Sequence, residues 1–126
     1  MANRIATILG VLFLLVGLLG FVMPNLLGAH LTLAHNIIHL VSGAIALWLG
    51  LKGTPAGART FCIVFGIVYL LLGVVGFLLG TGDDRMLTLI PDQLMFGTMD
   101  HVIHIVLGAI FLFGGFTTKT AAPVRT

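Results

Sequence analysis

The chain has 126 residues, 59% of them hydrophobic and only 8% charged, with a mean hydropathy of +1.19. A water-soluble domain of this size could not cover so much apolar surface, which excludes a soluble enzyme or scaffold. The net charge of +2 contains no basic run, which excludes a nucleic-acid partner. A bilayer needs about 20 apolar residues per spanning helix. Four stretches reach or approach that length, at about 5–23, 35–51, 60–79 and 101–116.

The first predicted helix starts near Ile5 and stops near Met23-Pro24, because proline has no N–H to continue the ladder. Arg4 ahead of an apolar run imitates a secretory signal. No small-x-small cleavage site follows, and the same pattern returns at 60–79, so both copies are expected to be retained. A connection from Asn25 to Ala34 leads to the second helix, which opens at His35 and closes at Gly50 to Gly53. Lys52-Gly53-Thr54-Pro55-Ala56-Gly57 reads as a tight turn. The third helix covers Thr60 to Leu79 and ends at Gly80-Thr81-Gly82-Asp83-Asp84. Leu87 to Phe96 is apolar around Pro91 and is expected to lie on the outer membrane interface. Asp100 reads as the N-cap of the fourth helix. The second and fourth stretches are short and are expected to span with help from neighbours or local bilayer thinning. Residues 117–126 form a polar tail, expected to be mobile. Cys62 is the single cysteine, so no internal disulfide forms and it reads as a small packing residue.

Two halves of the chain repeat one another. Ile8-Leu9-Gly10 with Gly17, Gly20 and Phe21 recurs as Val64-Phe65-Gly66 with Gly73, Gly76 and Phe77, at an offset of 56. Asn36-Ile37-Ile38-His39 with Gly43 recurs as His101-Val102-Ile103-His104 with Gly108, at an offset of 65. The expected fold is therefore all-α: an integral membrane four-helix bundle built from two tandem transmembrane hairpins, a parallel internal repeat. Gly10, Gly17 and Gly20 fall within about 80° of one another on a helix, and Gly66, Gly73 and Gly76 do the same. Such a face lets backbones approach closely in lipid. Helices one and three are expected to meet each other, or their hairpin partners, along it. Arg4, Lys52, Arg59, Lys119 and Arg125 fall on one side of the bundle, and Arg85 falls on the other among Asp83, Asp84, Asp92 and Asp100. Positive residues favour the cytoplasm, so both termini are expected there.

The candidate site lies at the start of helices two and four. His35, Asn36 and His39 open one; Asp100, His101 and His104 open the other. The repeat pairs His39 with His104, Asn36 with His101, and His35 with Asp100. Gly43 and Gly108 follow one turn further in and leave room for a neighbouring helix. Ionisable groups at this depth need partners, and three roles are open to them. The imidazoles could fasten helices through hydrogen bonds; they could hold a metal or haem, with His39 and His104 as the leading ligands; or they could relay protons with Asp100. The relay lacks a charged group deep in helix one or three, where Thr7 and Tyr69 are the only polar candidates. His30 reads as a surface residue of the loop. Ser42 has no orienting acid or oxyanion hole in prospect, and no phosphate-binding glycine loop is present.

In these features the chain resembles a bacterial membrane family catalogued as a domain of unknown function, number 4383. The resemblance rests on His35-Asn36-Ile37-Ile38-His39 with Gly43 and on Asp100-His101-Val102-Ile103-His104 with Gly108, and covers about residues 5–116. It implies four spanning segments and a bacterial membrane location, and no activity. Members usually carry asparagine where this chain has His101, which suits a helix-fastening hydrogen bond better than a metal ligand.

The sequence thus leads to a multi-pass protein of the bacterial cytoplasmic membrane that is not an enzyme and needs no cofactor. It would serve as a structural or accessory subunit, with lipids, other membrane subunits or itself as partners. The alternative is a His-ligated metal or haem protein, and a channel is a weaker third option because the glycine faces suit close packing.

Overall fold

The computed structural model describes residues 1–119; residues 120–126, most of the expected tail, lie outside the described part. Each apolar stretch is a helix: α1 (Ala2–Gly20), α2 (Leu33–Lys52), α3 (Pro55–Leu79) and α4 (Thr98–Thr117). All four are long and apolar enough to cross a membrane, and the chain is a small multi-pass membrane protein with an all-α bundle. A single 3-10 turn, Leu26–Gly28, interrupts the α1–α2 connection. Between α3 and α4 stand two short antiparallel strands, β1 (Leu87–Ile90) and β2 (Leu94–Phe96).

Capping chemistry moves the helix ends away from the positions expected from the sequence. α1 stops at Gly20, earlier than Pro24 suggested, because the chain tightens into i→i+3 bonds from Phe21 to Leu18 and from Val22 to Leu19. α2 begins two residues before His35, since the Thr32 hydroxyl accepts from the His35 N–H at 3.3 Å. α3 begins at Pro55, inside the segment read as a turn. Thr54 caps it by accepting from Gly57 N–H at 3.0 Å, and proline at the first helical position gives up only an N–H that has no helical partner there. Asp100 is not the N-cap of α4. Gly97 holds that place, and Asp100 at the third helical position accepts from the Gly97 N–H at 2.8 Å. As a result α2 and α4 each have 20 residues, roughly 30 Å, and no bilayer thinning is required. The segment around Pro91 is a β-hairpin whose turn carries Asp92 at φ 63°.

The helices pair as α1 with α2 and α3 with α4, while α1 also lies against α3 and α4. Glycine decides how close each pair comes. A Cβ on Gly10 would stand 2.7 Å from the Leu47 nitrogen, and one on Gly43 would stand 2.9 Å from the Gly10 carbonyl oxygen. In the other pair, a Cβ on Gly108 would stand 2.6 Å from the Leu70 nitrogen and 2.8 Å from the Gly66 oxygen. The obstacles are backbone atoms, so no side-chain rearrangement could relieve them. Of the two partners expected for the glycine faces, the hairpin partner is the one they meet.

At the end of the bundle away from the β-hairpin, the Asn3 amide donates to the Leu49 and Gly53 carbonyls, satisfying the last turn of α2. Nearby, the Ala2 N–H donates to the Thr118 hydroxyl at 2.6 Å. Cys62 is fully buried beside the Ala2 carbonyl, a packing position. The core between the helices runs from Ala2, Ala6 and Ala58 through Phe61, Phe111, Tyr69 and Phe13. Ile8, Leu15, Leu18, Trp48 and Leu71 point outward and are exposed, as lipid-facing side chains are.

Gly108→Ala is expected to lower stability in detergent by roughly 1–3 kcal/mol, because the new methyl meets backbone. Gly17→Ala should cost less, since its nearest neighbour is the movable Leu40 side chain. Leu15→Ile should change it by less than about 0.5 kcal/mol. Thermal unfolding of the three variants checks the order, and equal melting of all three would contradict it.

Candidate functional site

The polar residues of the β-hairpin end divide into two groups with different surroundings. The first is centred on Asp100, which is 2% exposed. Its carboxylate accepts from the His30 ring Nδ1–H at 2.6 Å, the His30 backbone N–H at 3.1 Å and the Gly97 N–H at 2.8 Å. One side chain thereby joins the α1–α2 connection to the first turn of α4, where a negative charge also suits the helix dipole. The His30 carbonyl in turn accepts from His35 Nδ1–H at 3.0 Å. Asn36 donates to the Leu31 carbonyl at 3.4 Å. The Thr32 hydroxyl donates to the Gln93 carbonyl, tying the same connection to the β-hairpin.

His101 fastens the other loop. Its ring packs over Gly76, where a Cβ would collide with it, and its Nε2–H donates to the Arg85 carbonyl at 2.7 Å. Arg85 folds back so that its guanidinium donates to the Phe77 carbonyl in the last turn of α3. Asn36 lies over Gly20 in the same manner. Asp84 accepts from the Thr98 N–H at 3.3 Å, placing a second carboxylate at the start of α4.

The second group is His35, His39 and His104, stacked into the top of the aromatic core. His39 lies flat on Phe13, with ring centroids 5.3 Å apart and planes 10° from parallel. His104 packs against Tyr69 at 5.4 Å. His35 stands between them, 4.2 Å from His39 and 6.2 Å from His104. Phe96 of β2 closes the cluster edge-on to His35 and His104. His39 and His104 each lie six residues inside their helix, roughly 9 Å along the axis. Their Nδ1 atoms are sealed from solvent without a hydrogen-bond partner among the described residues, as are His101 Nδ1 and Asn36 Oδ1.

Two apolar cavities flank this cluster. One of about 230 Å³ opens between α2 and α3, with His35, Ser42, Tyr69, Phe96 and His104 in its wall. The other, about 140 Å³, lies between α1 and α4 against Phe13, His35, His39, Asp100 and His104. His35 and His104 border both.

Of the six residues singled out from the sequence, the structure gathers His35, His39 and His104 at one point and sends Asn36, Asp100 and His101 to the backbone of the connecting segments. Asp100 reaches His30, not a residue of the motif. His30 is not the free surface residue expected; it is half-buried and is the main partner of Asp100. Phe13, Phe96 and Asp84 were also missed, and Tyr69 was weighed only as a polar group for a relay. Phe13 and Tyr69 carried a usable signal, since they are separated by the same offset of 56 as the glycines. Among the described residues, no three His, Cys, Asp or Glu side chains converge as a metal site would need.

A family model described as a domain of unknown function (DUF4383) matches residues 3–117. No curated protein and no solved structure matches the chain.

Asp100→Asn weakens three hydrogen bonds that now end on a charged acceptor, and is expected to destabilise by about 1.5–3 kcal/mol. His101→Asn should retain the loop contact better than His101→Leu. Hydrogen exchange at the His30, Gly97 and Arg85 amides, read alongside thermal unfolding, checks both; unchanged protection in Asp100→Asn would contradict the first.

Proposed function

Since the chain belongs to the DUF4383 family, whose description names no activity, we propose from its own geometry that it is a non-catalytic structural or accessory subunit of a larger membrane assembly. It sits in the bacterial cytoplasmic membrane with both termini cytoplasmic, and is built from two copies of one hairpin. The observation that carries this reading is the use of its polar groups. His30, His35, Asn36, Asp100 and His101 each make a hydrogen bond to loop backbone or to one another, although Asn36 Oδ1 and His101 Nδ1 stay unpaired among the described residues. A general acid, a base or a nucleophile needs a polar group left free to face a substrate, and this network is used for fastening. What the chain offers elsewhere is apolar side chains on all sides of the helices, the surface a lipid or another membrane helix would cover.

The duplication is supported by matching contacts as well as matching letters. Gly10 with Gly43 corresponds to Gly66 with Gly108, Gly20 under Asn36 to Gly76 under His101, and Phe13 on His39 to Tyr69 against His104. The orientation rests on Arg4, Lys52, Arg59 and Lys119 at one end. The second reading, a His-bound metal or haem, has in its favour the unpaired Nδ1 atoms of His39 and His104. Against it, no three His, Cys, Asp or Glu side chains converge among the described residues, which leaves at most two imidazoles of unequal setting.

Mild-detergent extraction from native membranes is expected to yield the chain in a particle far larger than its own 13.3 kDa, colourless and without stoichiometric metal. A particle no larger than the purified chain in the same detergent would overturn the subunit role. A Soret band or near-stoichiometric metal, lost in His39→Ala or His104→Ala, would replace it with the cofactor reading. For orientation, in a Cys62→Ala background, an impermeant maleimide applied to intact cells should label Asp83→Cys and spare Lys52→Cys; the reverse pattern would invert the topology.

A further inference from the structure

We propose that the crevice between α2 and α3 binds one acyl chain of a bilayer lipid, whose ammonium-bearing headgroup rests at the β-hairpin. The site is complete within this one chain and does not depend on any partner complex.

The crevice is a repeated feature of the fold. The cavity of about 230 Å³ is walled by His35, Ile38 and Ser42 from α2 and by Val68, Tyr69 and Leu72 from α3. The offsets of 65 and 56 carry these positions onto Asp100, Ile103 and Leu107 of α4 and onto Leu12, Phe13 and Val16 of α1. All of those wall the cavity of about 140 Å³ between α1 and α4. Each cavity therefore marks a seam where the first helix of one hairpin meets the second helix of the other. Glycine draws the helices together within each hairpin, whereas α2 and α3 touch sparsely. Deep in the two seams, the paired positions that differ most in size are Ser42 and Leu107. The seam with serine is the larger one, and leucine fills in its counterpart what serine leaves open.

Chemistry and dimensions select the occupant. The wall of the larger cavity is almost entirely apolar, so water has too few partners to fill it. Left empty, its lining would forgo dispersion contacts. An apolar space of roughly 150 Å³ takes one benzene ring. About 230 Å³ therefore takes a run of methylenes from one chain, but neither a whole lipid nor another helix. Ile38, Val68 and Leu89 are exposed at its mouth, which opens to the acyl chains of the bilayer. The crevice descends from Leu89, Leu94 and Phe96 of the β-hairpin to Ser42. Ser42 lies nine residues after Leu33, the start of α2, roughly 14 Å along the axis. That is about half of the ~30 Å hydrocarbon core, the depth of one leaflet.

Charge selects the headgroup. Asp92 sits in the hairpin turn, three positions beyond Leu89 of the cavity wall, and Asp83 and Asp84 precede β1; all three are exposed. Arg85 is the one Lys or Arg at this end among the described residues, and its guanidinium is engaged by the Phe77 carbonyl. Above the crevice the rim is therefore acidic. It repels a headgroup of net negative charge and attracts an ammonium.

The test uses the full chain purified in detergent, titrated with phosphatidylethanolamine or phosphatidylglycerol of identical acyl chains, with bound lipid counted by native mass spectrometry. One saturable lipid per chain is expected, with the ethanolamine form held more tightly, and Asp92→Asn should narrow that difference. Ser42→Leu, which copies Leu107 of the other seam, should weaken binding by about tenfold without lowering the melting temperature. Ala44→Leu adds bulk at an exposed position of α2 and should leave binding unchanged. A non-saturable ladder of adducts, undiminished binding in Ser42→Leu, an equal loss in Ala44→Leu, or equal affinity for the two headgroups would each overturn the proposal. So would a purified chain that runs as a dimer and separates on Ser42→Leu, which would give the crevice to a second copy. If Ser42→Leu loses its helical circular dichroism, Val68→Trp, which obstructs the mouth, decides alone: unaltered lipid binding there overturns the site.

Discussion

Where α1 crosses α2, the Gly10 carbonyl oxygen stands only 2.9 Å from where a Cβ of residue 43 would be, and where α3 crosses α4 the Gly66 oxygen stands 2.8 Å from where one on Gly108 would be. In lipid the ordinary hydrophobic drive is missing between helices, and association depends on van der Waals contact of surfaces that fit closely. Backbone-to-backbone approach is the closest contact available, and only glycine permits it. The position and tilt of α2 and α4 follow from these two crossings, and so does the level at which their first turns meet the loops. Moving either crossing by one residue would turn His39 or His104 by about 100° and empty the cluster.

The fastening at the β-hairpin end answers a second constraint, that backbone groups near the apolar core of the membrane need partners within the protein. Helix termini leave such groups open. Here Asp100 and Asp84 meet the start of α4, Arg85 meets the end of α3, and Thr32 caps α2. Asn3 and Thr54 do equivalent work at the opposite end. The few polar side chains of a chain that is only 8% charged are concentrated where backbone would otherwise lack partners. His39 and His104 depart from that economy, since they pack against Phe13 and Tyr69 in the aromatic core and not against loop backbone.

Part of the site was legible from letters alone. His35 and His39 share a helix face by their spacing of four, and the N-x-x-H and H-x-x-H spacings placed His39 and His104 at one depth; the earlier helix starts in the structure put both six residues inside. The partners of Asp100 were not legible. His30 is 70 positions away in a connection without periodicity, and nothing in a loop sequence states which helix end it will reach. Phe96 belongs to an apolar run that could have rested on the membrane surface; strand pairing turned it inward instead, over His35 and His104. The helix starts shifted by two to five residues for a related reason. Caps are chosen by local hydrogen-bond competition among Thr32, Thr54 and Asp100, which hydropathy does not register.

By itself, then, the sequence determined that four apolar segments form helices in a membrane and that glycines at matching spacings give them faces for close contact. Those properties are local: each depends on composition over about 20 residues or on angles around one helix axis. Only the tertiary structure decided that the glycine faces of α1 and α3 turn to their own hairpin partners. It alone separated the polar residues into a fastening network and a histidine cluster in the aromatic core, and left a cavity on either side of His35 and His104. Those outcomes depend on which surfaces meet across the bundle, and the relation between distant segments is set by packing, not by spacing along the chain.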